Sequence, residues 1–116
     1  MDITKLYYYR AVVVRVIDAD TVDFLIDLGF TSSRKERLRL ARIDAPEVRG
    51  PEREAGLEAK AWLQSKLAIG DEVLIRTNKS DSFGRYIAEI FIETDEGLLN
   101  LCDELVKVGH AEYREY

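Results

Sequence analysis

The sequence predicts a β-barrel with helices: five short strands in a Greek-key barrel, in the order β-β-β-α-β-β-α. Three observations point there. Three strand-like stretches follow one another at the N-terminal end, each stopped by turn-forming residues. The hydrophobic period then changes from two to 3.6 near residue 50. Two further strand-like stretches and a closing helical one follow. Five strands with a helix between the third and fourth match a barrel of the OB type, which commonly binds nucleic acids and oligosaccharides.

The elements read in order as follows. "YYYRAVVVRVID" (7–18) is aromatic and β-branched, and "DADT" interrupts it. "TVDFLIDL" (21–28) alternates as a returning strand, "GFTSS" (29–33) is a loop, and "KERLRLARI" (35–43) is a third strand that Pro46 ends. Over 50–67, Ala55, Ala59, Trp62, Leu63 and Leu67 share one helical face, with Pro51, Glu52 and Glu54 suited to the first turn. Residues 71–78 and 85–93 are strands four and five, joined by the turn "SDSFG". Residues 100–109 form a second helix, with Asn100 as N-cap and Gly109 just past its end.

The chain of 116 residues is expected to be one domain spanning 1–116, and 47% hydrophobic residues supply one core. One cysteine, Cys102, excludes an internal disulfide, and one histidine, His110, leaves no Cys/His zinc cluster. No apolar run approaches the roughly 20 residues that span a bilayer, and the N-terminus has no basic region followed by an apolar core, so no membrane contact is expected and the chain either stays in the cytoplasm or has lost a leader; a monomer is expected.

The net charge of −5 is uneven. Residues 93–116 carry seven acids and two bases, while the preceding 92 carry fifteen of each. "RKERLRLAR" (34–42) holds five bases and one acid. That stripe reads either as a solvated strand edge guarded against aggregation or as a contact for a polyanion.

Residues with chemical potential gather at strand ends. Asp18 and Asp20 lie in "IDADTV", and Arg39, Asp44 and Glu47 lie in "LRLARIDAPE". Singly, each has a plain reading as a turn former, a cap or an exposed charge. Together they form a parts list: carboxylates for a hard cation, a further carboxylate as base, and arginines for a phosphate. That set suits metal-assisted phosphodiester hydrolysis.

"VIDADTV", "LRLARIDAPE" and "SFGRYIAEIF" closely resemble the three signature segments of the staphylococcal nuclease (thermonuclease) family, and "AGLEAKAWL" and "LVKVGHAEY" fall where that family has helices. The resemblance implies that Asp20, Asp44 and the backbone carbonyl of Ala45 ligate Ca²⁺. It implies that Glu47 acts as general base and that Arg39 and Arg85 bind the scissile phosphate. Asp18 would be a supporting acid behind the metal ligands. Phe83 and Tyr113 are candidates for stacking on bases. The implied activity is a Ca²⁺-dependent nuclease. It would cut DNA and RNA, single strands preferred, with little sequence preference, leaving 3′-phosphate ends. The alternative is an inactive or weakly active module of the same fold that binds nucleic acid or serves as a scaffold.

Overall fold

The computed structural model describes residues 7–77 and 86–114. Three long strands, β1 (Tyr8–Asp18), β2 (Thr21–Gly29) and β3 (Ser32–Leu40), form an antiparallel meander. A two-residue strand β4 (Ile43–Asp44) and a 3₁₀ turn (Gly50–Glu52) lead into helix α1 (Arg53–Lys66). Then come β5 (Glu72–Thr77), β6 (Tyr86–Thr94), β7 (Gly97–Asn100), helix α2 (Leu101–Lys107) and the short strand β8 (Glu112–Tyr113).

The sheet runs β3-β2-β1-β5-β6, and β3 closes it by pairing in parallel with β6 at Leu38↔Tyr86, Arg39↔Ile87 and Leu40↔Ala88. Closure removes the free edge there. The expected five-stranded barrel with two helices is therefore present. Inside it Phe24, Leu38, Leu40, Ile75 and Ile90 are fully buried, and Leu63 of α1 and Leu101 and Leu105 of α2 join the same core. The alternation that marks the strands follows from this: odd and even residues face opposite sides of a pleated sheet.

Several local features differ from the sequence reading. The expected loop over 29–33 is only a two-residue turn, Phe30–Thr31, with both φ values positive at 55° and 58°. Such turns suit hairpin twist, but their usual Asn-Gly signal is missing here. The third strand stops at Leu40. Arg42, at φ 65°, turns the chain before β4 pairs with β8. Residues 97–100 form an extra strand, β7, against β6, in a stretch where no strand was expected. On α1, Ala55 is exposed and Gly56 takes its place on the buried face with Ala59 and Leu63. A methyl at Gly56 would overlap the carbonyl of Glu47, so the helix crosses the preceding loop at backbone contact.

Helix α2 starts and ends as expected. The Asn100 side chain accepts from the amides of Cys102 and Asp103. Its end is a Schellman closure, with His110 N–H on the Leu105 carbonyl and Gly109 N–H on that of Val106. Among the described residues, no helix is long and apolar enough to cross a membrane. The expected turn over 80–84, with Phe83 and the neighbouring Arg85, lies outside the described residues.

Candidate functional site at the barrel seam

Arg39 sits where β3 closes on β6, and the Thr21↔Arg39 register sets it beside Asp20. Its side chain is 8% exposed. A buried guanidinium needs compensating charge, and two carboxylates provide it. Asp20 Oδ2 lies 2.8 Å from Nη1 and Asp44 Oδ1 lies 3.2 Å from Nη2. The Ile43 carbonyl also accepts from Nη2 at 3.4 Å.

The two acids differ in their freedom. Asp20 is as buried as Arg39 and is held on all sides. Its Oδ2 accepts from the Ala45 amide, its Oδ1 from the Thr21 hydroxyl, and its carbonyl from the Leu40 amide. Asp44 is half exposed and also meets Arg114 Nη1 at 3.4 Å. Backbone pairing of Asp44 with Glu112 and the Arg114 amide on the Arg42 carbonyl tie β8 to this corner.

Glu47 follows three residues after Asp44 on an exposed loop. Its amide donates to Glu52 Oε2 at 3.3 Å, and the next amide, Val48, donates to Asp18 Oδ1 at 3.3 Å. Asp18 thus anchors the loop that carries Glu47, and Gly56 of α1 packs against the backbone of the same two residues, Glu47 and Val48. Beside Asp44 and Ala45 opens a cleft of about 370 Å³, with Glu52, Glu58, His110 and Glu112 in its walls.

Tyr113 is exposed and stands apart from Arg39. Its ring lies 5.9 Å from the Arg42 guanidinium and its hydroxyl donates to Asp103 at 3.0 Å. That bond holds the hydroxyl above its ordinary pKa. The structure therefore brings together Asp20, Arg39, Asp44 and Ala45, with Glu47 on the adjoining loop and Asp18, at the end of β1, holding that loop through the Val48 amide. Arg114 and Gly56 were missed from sequence. Arg114 reaches Asp44 through a two-residue strand that has no periodic signal, and Gly56 shows only as a small residue inside a helix.

Among the described residues, no group of three or more His, Cys, Asp or Glu side chains converges as a metal cage. Two carboxylates meeting on one guanidinium, next to a main-chain carbonyl, are nevertheless hard oxygen donors of the kind that Ca²⁺ and Mg²⁺ accept alongside water. In kind, the donors fit such an ion.

Residues 37–116 match the family model described as staphylococcal nuclease homologue. An uncharacterized protein of Methanocaldococcus jannaschii is 28% identical over 90% of this chain and 58% of its own length. A probable staphylococcal-like nuclease of Oryza sativa is 37% identical over 68% of this chain and 19% of its own. A probable endonuclease of Candida glabrata is 34% identical over 64% of this chain and 30% of its own. The chain thus spans less than two thirds of the length of each of these relatives.

Proposed function

The chain belongs to the staphylococcal nuclease family, and from that premise we propose that it hydrolyses phosphodiester bonds of DNA and RNA in a Ca²⁺-dependent reaction. The observation that carries this reading is the Arg39 guanidinium, buried at the barrel seam between Asp20 and Asp44, with Glu47 on the loop that follows.

Each residue has a task set by its environment. Asp20, fully buried, fixes the orientation of Arg39. Asp44, half exposed, is the partner that a phosphate would displace from the guanidinium. The planar fork of Arg39 then grips two phosphate oxygens and stabilises their growing charge. Arg85 is the second guanidinium on the resemblance of its motif. Glu47 takes a proton from the attacking water as the new P–O bond forms. The bond to the 5′-oxygen breaks, that oxygen takes a proton from water and leaves as the 5′-hydroxyl, and a 3′-phosphate remains. Asp20, Asp44 and the Ala45 carbonyl would hold the Ca²⁺, which supplies positive charge next to the phosphate. Tyr113 and Phe83 would stack on bases of the bound strand. Low sequence preference, a preference for single strands and action as a monomer complete the proposal.

Magnitudes rank the tasks. Enzymes lower the barrier to phosphate-ester hydrolysis by about 20 kcal/mol or more. A general base contributes about 10²–10⁴-fold, or roughly 3–5 kcal/mol. Electrostatic stabilisation of the phosphate must therefore exceed what Glu47 provides.

The test is digestion of single-stranded DNA with Ca²⁺, with EGTA, and with the Glu47→Gln variant. We expect cleavage that needs Ca²⁺ and falls about 10²–10⁴-fold in the variant. Intact DNA in every condition, with folded protein, would instead favour a binding module.

A further inference from the structure

Arg39 is the inner end of a longer basic row. Cross-strand partners share a face of the sheet. Thr21↔Arg39, Asp23↔Arg37 and Leu25↔Lys35 pair across β2 and β3, and Arg15 of β1 pairs with Asp23. The opposite face carries Val22, Phe24, Ile26 and Leu38, all buried in the core. Arg15, Lys35 and Arg37 therefore project outward on the side of Arg39, and all three are exposed. They surround one acid, Asp23. It lies 2.8 Å from Arg37, whose hydrogen bond, helped by the charges of Lys35 and Arg15, lowers its pKa. Two further acids lie on this face: Asp18, which pairs with Thr21 and accepts from the Val48 amide, and Asp27, which accepts from the Gly29 amide at the far end of the hairpin.

Apolar groups are interleaved with the cations. Leu25, opposite Lys35, is 41% exposed. Phe30, at the hairpin tip, is fully exposed and held at positive φ, as is Thr31. A bulky residue there is strained and gains no burial, so folding does not account for it. The cleft that Asp44 borders has acidic walls instead, with Glu52, Glu58 and Glu112.

We propose that the outer face of the β2–β3 hairpin is a second binding site, where Arg15, Lys35 and Arg37 hold the flanking phosphates of a single-stranded nucleic acid and Phe30 stacks on one of its bases. The proposal rests on the nuclease reading for its occupant and deepens it. Lys35 lies four residues from Arg39, about 13 Å at strand rise. The hairpin therefore engages nucleotides beyond the scissile one, within the span of about 4–16 that such barrels cover. A lone edge-protecting charge run would not combine phosphate-type and base-type contacts on one face with a catalytic guanidinium at its end.

The experiment uses a fluorescein-labelled single-stranded 12-mer and a dinucleotide, with wild type, the triple variant Arg15→Ser/Lys35→Ser/Arg37→Ser, Lys35→Glu and Phe30→Ser. Anisotropy in EGTA measures 12-mer binding without cleavage. Digestion in Ca²⁺ gives the ratio of kcat/KM for the 12-mer to that for the dinucleotide. We expect the triple variant to bind the 12-mer at least about tenfold more weakly, with a salt slope shallower by about 2, at roughly 0.7 per lost phosphate contact. Phe30→Ser should weaken binding by about 5-fold to 100-fold. The kcat/KM ratio should fall with both. The single variants, at exposed Lys35 and Phe30, keep the test valid should the triple variant misfold. Unchanged 12-mer affinity, slope and ratio would overturn the proposal while leaving the nuclease reading standing. Loss of binding in the variants of a protein that cuts neither substrate would support the site and sink the nuclease reading. A wild type that does not bind the 12-mer would overturn the proposal and leave the face to a protein partner.

Discussion

Two arginines three residues apart each hold two carboxylates, yet the two clusters do different things. Arg39 is 8% exposed and lies between buried Asp20 and half-exposed Asp44 at the strand ends. Arg42 is 46% exposed and lies between Glu89 and Asp103. The acids of the second cluster are shared further. Glu89 also meets Arg76 and the Asn100 side chain, and Asp103 accepts from Tyr113. Those contacts clip α2 and β8 to the barrel. At Arg39 the outer acid borders solvent and a cleft, three residues before the exposed Glu47. The same parts thus build a clasp in one place and a candidate reaction centre in the other. What separates them is which acid is left accessible, and no list of residue types reveals that.

The sharpest break is Asp20→Asn against Glu89→Gln. Removing the Asp20 charge takes from buried Arg39 its buried partner, so we expect roughly 3–5 kcal/mol lost on denaturant unfolding and cleavage below about 1% of wild type. Glu89→Gln should cost about 1–3 kcal/mol and leave kcat/KM within about twofold. Equal effects on cleavage would erase the distinction.

Gly56→Ala probes the loop of Glu47 without touching a charged group. The methyl must push the Glu47 backbone away. Misplacement by about 1 Å costs on the order of 10²-fold in rate, while overpacking costs about 1–3 kcal/mol, partly offset by the better helix propensity of alanine. We expect kcat to fall more than the shift in Tm alone would explain, and kcat at the wild-type value would contradict the contact.

Cys102, on the Arg42 side, tests burial through pH. Burial pushes its thiol from 9.0 up to about 12. The unfolded chain loses this proton near pH 9 while the folded chain keeps it. Its contribution to stability is therefore complete below about pH 9 and is lost as pH rises toward about 12, at about 1.4 kcal/mol per unit. Cys102→Ala should flatten that part of the stability profile, and an unchanged slope would refute it. The smallest effect expected is for Asn100→Ala, which removes the cap of α2 at a cost of about 1 kcal/mol and should leave cleavage untouched when assayed below Tm.

Much of this was legible in the chain. Alternation marked the strands because one face of each is buried, and Asn100 and Gly109 marked α2 because caps use specific chemistry. Asp20, Arg39, Asp44 and Glu47 stood out because all lie at or near strand ends in two short segments. What stayed hidden depends on tertiary packing. β4 and β8 are two residues each, so neither has a period, and Arg114 meets Asp44 only through their ladder. The Phe30–Thr31 turn lacks glycine, so the tight turn of the β2–β3 hairpin read as a five-residue loop. Gly56 looked like an ordinary helix residue until the helix met the Glu47 backbone.

The most direct test is kcat/KM on single-stranded DNA for Arg39→Lys and Arg42→Lys, each with its Tm. Lysine keeps the charge and loses the planar fork. We expect Arg39→Lys to fall by about 10²–10³-fold, with Arg42→Lys near wild type in rate and lower only in Tm. Near-normal cleavage by Arg39→Lys, or an equal loss in both variants, would contradict the assignment of the reaction centre to the barrel seam.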